Sequence, residues 1–238
     1  MLRGWTNSVH DLFRCLCELI YPSKCCACGA DGDLLCENCR KGMPFVPEDG
    51  SCLLCGMRLE SSGICGACLL EERIFERGVF GFYFTGSVRE AIHAFKFAGK
   101  KEVGKRLVRM VEKRILSLCS EADVIVPIPV SERRLRERGF NQSFILAFEI
   151  SQILKRPLLF DLLVKARETR DQAQLKREER SKNVKGAFAV EGGKRIQGMK
   201  VLLVDDIYTT GCTAREAGRV LLKANPKSLL LFALARAE

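Results

Sequence analysis

Two sets of residues in this 238-residue chain have types and spacings that could do chemistry. The first is the run 201–213, Val-Leu-Leu-Val-Asp-Asp-Ile-Tyr-Thr-Thr-Gly-Cys-Thr. An apolar stretch leads into two adjacent carboxylates, Asp205 and Asp206. A short loop of hydroxyls and glycine follows, and a helical pattern starts near Thr213. A loop running into a helix N-terminus gathers backbone N–H donors around an anion, and Thr209, Thr210 and Thr213 can add hydroxyls. Gly211 lets the backbone approach a phosphate closely, and Cys212 is read as a small side chain that fits between. Two carboxylates beside such a nest would repel a bare phosphate. They suit a ligand that also carries hydroxyls, gripped directly or through Mg²⁺. A ligand-free acidic turn with a capped helix would explain one Asp and one Thr, but not the whole run.

The second set is four C-x-x-C pairs within residues 25–68: Cys25/Cys28, Cys36/Cys39, Cys52/Cys55 and Cys65/Cys68. A two-residue gap lets both thiolates of a pair reach one tetrahedral ion. Eight such ligands make two Cys₄ sites for zinc, closed and therefore structural rather than catalytic. Pairing first with second and third with fourth is expected, with a cross-brace as the alternative. The other cysteines, Cys15, Cys17, Cys26, Cys119 and Cys212, are read as buried or incidental.

The formal net charge is +10 and is unevenly spread. Segment 96–114 has eight Lys/Arg against two acids, and 165–185 has eight against four. Arg133, Arg134, Arg136 and Arg138 crowd the stretch before Gly139. This balance suits an anionic partner, whether nucleotide phosphate, pyrophosphate or a nucleic-acid backbone. For 96–114 a solvated helix face is an equal reading. Hydrophobic residues at 47% and charged residues at 29% exclude a disordered chain. No run approaches the ~18 apolar residues of a membrane span. Arg3, Asp11, Arg14 and Glu18 interrupt the first 21 residues, which do not read as a secretory signal. Cysteines in C-x-x-C pairs belong to a reducing compartment, and the expected location is the cytoplasm.

Three segments must position these residues. Residues 1–24 contain an amphipathic helical stretch, with Val9, Leu12, Phe13, Leu16, Leu19 and Ile20 at helical spacing, stopped by Pro22. Residues 25–70 hold the cysteine pairs. A charged joint at 71–77 leads into 79–238, where apolar runs at 79–84, 124–128, 201–204 and 229–234 read as strands buried on both faces. Helical periodicity at 87–97, 102–118, 140–155 and 213–224 separates them. The pattern is α/β, a parallel sheet flanked by helices, with ligands beyond the C-terminal strand ends.

The run 201–213 resembles the signature of type I phosphoribosyltransferases, four apolar residues, two acids and a Thr-Gly loop. The chain more closely resembles the ComF family of competence proteins, over nearly its whole length. The cysteine ribbon is similar to that family's N-terminal module. So are Phe84-Thr-Gly-Ser-Val-Arg with Lys96 and Gly99 downstream. The segment 126–130 (Val-Pro-Ile-Pro-Val), followed by Arg138-Gly-Phe-Asn-Gln, matches its most distinctive motif. Arg167, Thr169, Gln172 and Leu175, then Arg180, Asn183, Val184 and Phe188, match its mobile loop and next strand.

The resemblance implies a phosphoribosyl pyrophosphate (PRPP) and Mg²⁺ site. Asp205 and Asp206 would hold the ribose hydroxyls, and 209–213 the 5′-phosphate. Ser131, Arg133 and Arg134 would face the pyrophosphate, with Arg138 and Asn141 near by. Lys165 and Arg167 would begin a hood over the leaving group. Lys165 stands where Arg is common in the family, which keeps the charge but loses the bidentate fork. No general base stands out: His93 is read as structural, and Thr209 occupies the place of an acid found in some purine enzymes. Three functions remain: an accessory protein of DNA uptake with PRPP or a nucleotide as effector, an active phosphoribosyltransferase, and a single-stranded DNA-binding module. The resemblance also implies DNA-uptake proteins as partners.

Overall fold

The computed structural model describes residues 23–169 and 177–237. The stretch 1–22, the motif residues Gln172 and Leu175 and the side chain of Arg180 lie outside them.

Four parallel strands form the central sheet: β1 (Arg77–Tyr83), β2 (Val124–Pro127), β5 (Lys200–Tyr208) and β6 (Ser228–Arg236), in the order β1-β6-β5-β2. Leu158 adds a parallel bridge to Ile125 at the β2 edge. A separate antiparallel pair, β3 (Leu163–Lys165) and β4 (Phe188–Val190), stands apart from the main sheet. The four apolar runs read from the sequence are the four sheet strands. β5 continues past the apolar run through both aspartates to Tyr208, because β6 extends alongside it and pairs Tyr208 with Arg236.

A sheet apolar on nearly every residue must be covered twice. One face carries α3 (Gly86–Phe97), α4 (Lys101–Met110), α5 (Glu112–Cys119) and α7 (Gln142–Leu154). Its core includes Ile92, Phe95, Leu107, Ile115, Leu146, Ile150, Leu202, Leu230 and Phe232. The other face is covered by α9 (Cys212–Leu222), the β3–β4 pair and the second half of the cysteine module, whereas Leu35 and Met43 of the first half join the helical-face core. Cys52, Cys55 and Cys65 therefore lie in the same core as Phe80, Val201, Leu203 and Leu231. This is how a segment too poor in apolar residues for its own core becomes ordered: it lies on the sheet.

The helix expected over 102–118 is two. Val111 leaves helical geometry at φ −107° and is buried, and its N–H bonds to Val108. The break separates α4, which packs on α3 and α7, from α5, which packs on β1 and α7. The arginine cluster after Pro129 forms a short helix, α6 (Glu132–Arg138), with no buried residue. Ser131 caps its start and Gly139, at φ +75°, ends it. The short helices α1 (Glu37–Lys41) and α2 (Gly66–Leu69) follow Cys36 and Cys65, and α8 (Arg177–Val184) precedes β4. No helix among the described residues is long and apolar enough to cross a membrane.

Candidate functional site

The cysteine thiols gather into two groups of four. Those of Cys25, Cys28, Cys36 and Cys39 all lie within 4.8 Å of one another, as do those of Cys52, Cys55, Cys65 and Cys68. Pairing is sequential, and the cross-brace is excluded. The Sγ–Sγ distances Cys28–Cys36 and Cys55–Cys65 are 3.6 and 3.7 Å. A tetrahedron with Zn–S of about 2.3 Å has edges of about 3.8 Å, so the donor sets fit zinc. Backbone N–H groups of Cys36 and Cys65 point at Cys25 Sγ and Cys52 Sγ, at 3.4 and 3.3 Å. Such donors stabilise thiolates. Two Cys₄ zinc-ribbon sites thus make up the N-terminal module, and all eight predicted ligands are in them.

A second site lies beyond the C-terminal ends of the sheet strands, in a cavity of about 480 Å³. Asp205 and Asp206 form its floor. Backbone and side-chain contacts fix each of them. Ser143, at the start of α7, donates to Asp205 Oδ1 at 3.3 Å, and the Asp206 N–H donates to the same oxygen at 2.9 Å. Lys96, near the end of α3, pairs with Asp206 Oδ2 at 2.8 Å, with both side chains largely buried. Burial raises Asp205 to about 7, with repulsion from Asp206 the next cause, while Lys96 and Ser143 hold it down.

Thr209, Gly211, Cys212 and Thr213 line the same cavity. Gly211 takes φ +78° as the N-cap of α9, a conformation that favours glycine. A methyl at Gly211 would lie 2.5 Å from Tyr208 Cζ, so space demands glycine as well. The first turn of α9, the positive end of the helix, thus faces the cavity. Thr210 is not part of the lining; its hydroxyl meets Cys212 Sγ at 3.1 Å.

Basic groups enter from the other side. Arg134, Arg138 and Lys165 line the cavity with Ser131. Lys165 Nζ lies 4.5 Å from the Phe188 ring centre. Burial lowers it to about 8, with the charge of Arg134 the next cause. Arg133 turns along α6 to Glu137 at 2.8 Å and does not line the cavity. Asn141 caps α7 and donates to the Ile128 carbonyl at 3.1 Å, bracing the loop after β2 from behind. Arg167 donates to the carbonyls of Asn183 and Lys185, at 3.0 and 2.6 Å, and so ties the segment after β3 to the one before β4.

Lys96 and Ser143, which position the aspartates, did not stand out in the residue pattern. Lys96 lies more than a hundred positions from Asp206, and only its place in a family motif marked it. Ser143 could have been suspected as the second residue of a helix opening at a loop–strand corner. His93, read as structural, lines the cavity, with its ring 4.9 Å from Phe97. The Arg138 guanidinium sits over the same Phe97 ring, 4.9 Å from its centre.

The phosphoribosyl transferase domain family matches residues 141–237, and the double zinc ribbon domain family matches 16–69. DNA utilization protein YhgH of Escherichia coli is 30% identical over 191 residues, covering 78% of this chain and 83% of that one. The chain belongs to the ComF family. Competence protein F of Haemophilus influenzae is 29% identical over 211 residues, covering 85% of this chain and 90% of that protein. Competence protein ComFC of Bacillus subtilis is 26% identical, covering 85% and 84%. Among solved structures, the allosteric regulatory enzyme of purine biosynthesis aligns at 17% identity with a TM-score of 0.41, over 59% of this chain and 29% of that one. The ComF family membership joins the two domain types in the order seen in the fold: zinc ribbon first, phosphoribosyltransferase-type sheet second.

Proposed function

We propose that this ComF protein binds PRPP, or a related ribose phosphate, together with Mg²⁺ in the cavity at the strand ends. The observation that carries the reading is one of placement. Adjacent carboxylates, a helix N-terminus behind a glycine loop and a buried lysine converge on one cavity. No single simple anion calls for all three. Asp205 and Asp206 would grip ribose hydroxyls and a hard, oxygen-seeking cation. Thr209 and residues 211–213 would take the 5′-phosphate, and Ser131, Arg134 and Lys165 the pyrophosphate. Mg²⁺, when bound, supplies charge neutralisation on the phosphate oxygens. Lys96 screens Asp206 in its absence and holds it in position. Arg138, at the cavity wall, adds further positive potential.

The relatives named for competence and DNA utilization support an accessory role in DNA uptake for this chain, in the cytoplasm, with single-stranded DNA and DNA-uptake proteins as partners. PRPP would then act as an effector. Titration calorimetry with PRPP and Mg²⁺ tests the binding: saturable heat in the wild type, lost in Asp205→Ala/Asp206→Ala with zinc content unchanged, is the expected result.

A second reading, phosphoribosyl transfer, is favoured by the cavity's apolar wall. Phe84, Ile92, His93 and Phe97 offer a planar acceptor a surface in the same space as the aspartates. Basic residues opposite would stabilise departing pyrophosphate. Release of pyrophosphate from PRPP with one nucleobase or amine, and with no other, separates transfer from sensing.

A further inference from the structure

The two zinc modules attach to the rest of the protein differently. The first is tied to the helical face: Ser87, in the first turn of α3, donates to the Cys39 carbonyl at 3.3 Å, and Arg106 of α4 pairs with Asp33. The second lies against β1 and β6, through Gly78, Phe80 and Arg236, beside the strand that leads into the 209–213 loop. Two separate lines of contact run from its knuckle, Cys55-Gly56, to Gly211.

The first line is polar. Arg236, at the end of β6, donates from Nε to the Cys55 carbonyl at 2.6 Å. Its guanidinium carbon lies 5.5 Å from the Tyr208 ring centre. The second line is apolar. A methyl on Gly56 would lie 2.5 Å from Phe80 Cδ2, so the knuckle backbone rests directly on that ring. Phe80 in turn meets Tyr208 edge-on, at 5.2 Å between centres. Tyr208 is buried, and its phenol fills the space beneath Gly211. A third attachment reaches the helix behind the loop: Arg215 and Arg219 of α9 pair with Glu71 and Glu72, just after the last zinc ligand, and Gly218 packs on Ile74 and Phe75.

We propose that the second zinc knuckle is the structural support of the phosphate loop, with Tyr208 and Arg236 as positioning residues. Order at Cys52, Cys55, Cys65 and Cys68 and order at 209–213 are then coupled. The physical reason is that a loop presenting N–H groups to an anion gains affinity from being held in the bound geometry before the ligand arrives. A tetrahedral Cys₄ site is among the stiffest supports a short, core-poor segment can offer. The ligand half of the coupling rests on the phosphate reading of the loop. By linkage, the effect is reciprocal: a ligand that fixes the loop also holds the second zinc ion.

Hydrogen exchange of the full-length zinc-loaded protein tests the support without any ligand. In Arg236→Met, amides of 207–215 should exchange at least about tenfold faster, within the range of ordinary coupling factors, while metal analysis still gives two zinc ions per chain. Arg236→Lys, which can still donate to the Cys55 carbonyl, should restore much of the protection. Arg106→Met loosens the tether of the first module and should leave the loop unchanged. Equal exchange in wild type and Arg236→Met, or equal acceleration by Arg106→Met, would overturn the proposal.

A second arm follows zinc release to a coloured chelator with and without Mg²⁺ and PRPP. Slower release of one of the two ions, abolished in Arg236→Met, supports the coupling. If calorimetry shows that PRPP binds and yet both ions leave at unchanged rates, the coupling is wrong and the binding site stands. If PRPP does not bind, the proposed ligand falls, and loop exchange in Arg236→Met still decides whether the knuckle supports the loop.

Discussion

A ribose phosphate and Mg²⁺ bound in this cavity should be held tightly only within a narrow pH window, because the two groups on either side of it are shifted toward each other. Burial, and then repulsion from Asp206, raises Asp205 to about 7. Burial, and then the charge of Arg134, lowers Lys165 to about 8. Gripping a cation requires Asp205 ionised, and gripping pyrophosphate requires Lys165 charged. Each required protonation change weakens binding up to tenfold per pH unit beyond the relevant pKa, about 1.4 kcal/mol. At pH 6 only about one-tenth of Asp205 is ionised, and at pH 9 about one-tenth of Lys165 is charged. Affinity should therefore peak between pH 7 and 8 and fall roughly sixfold by pH 6 and by pH 9, approaching tenfold per unit beyond.

Calorimetry in buffers of different ionisation enthalpy measures this directly. Binding should release close to one proton at pH 6 and take up close to one at pH 9. The ligand's own phosphate also titrates, so variants isolate the protein's share. Asp205→Asn should lose the protein's acid limb, and Lys165→Met its basic limb. The folded-state pKa of Asp205 lies above its unfolded value, so the stability it contributes is fully present below about pH 4 and is lost as pH rises through about 7. Unliganded Asp205→Asn should accordingly melt above wild type at pH 8, with the difference shrinking at pH 5. An acid limb in wild type no steeper than in Asp205→Asn would refute the reasoning.

Lys96→Met removes the charge that helps hold Asp205 down and leaves Asp206 without its partner at 2.8 Å; the acid limb should move up by about a pH unit, weakening ligand roughly fivefold at pH 7. Gly211→Ala meets both an unfavourable φ of +78° and the Tyr208 phenol; a loss of about 1–3 kcal/mol in denaturant unfolding is expected, with ligand binding abolished in calorimetry. Cys65→Ser should lower bound zinc from two ions to one by metal analysis. It should also cost on the order of several kcal/mol of stability, because metal binding is part of the folding free energy and this group sits in the core beneath the sheet.

Much of this could be read from the chain because the relevant physics is local. The strands appear as apolar runs since both sheet faces are covered, and the strand end, the two aspartates and the glycine loop are continuous from Val201 to Thr213. The cysteine spacing gives the zinc ligands outright, and their sequential pairing was the expected one. What could not be read depends on long-range packing. The break at Val111 comes from burial against the sheet rather than from any helix-stopping residue. The arginine-rich α6 has no apolar stripe, so periodicity could not reveal it. Arg133 and Arg134 are neighbours of one type, yet only Arg134 lines the cavity, because successive residues on a helix point about 100° apart. Lys96 meets Asp206 only once α3 is laid across the sheet, and no spacing rule links positions so distant.

The central claim is a ribose-phosphate site with Asp205 and Asp206 at its floor. Titration of the zinc-loaded protein with PRPP, with and without Mg²⁺, beside Asp205→Ala/Asp206→Ala, tests it most directly. Saturable, Mg²⁺-assisted binding in wild type and none in the double variant is the predicted result. No binding by a folded wild type carrying both zinc ions, or equal binding by the two proteins, would contradict it.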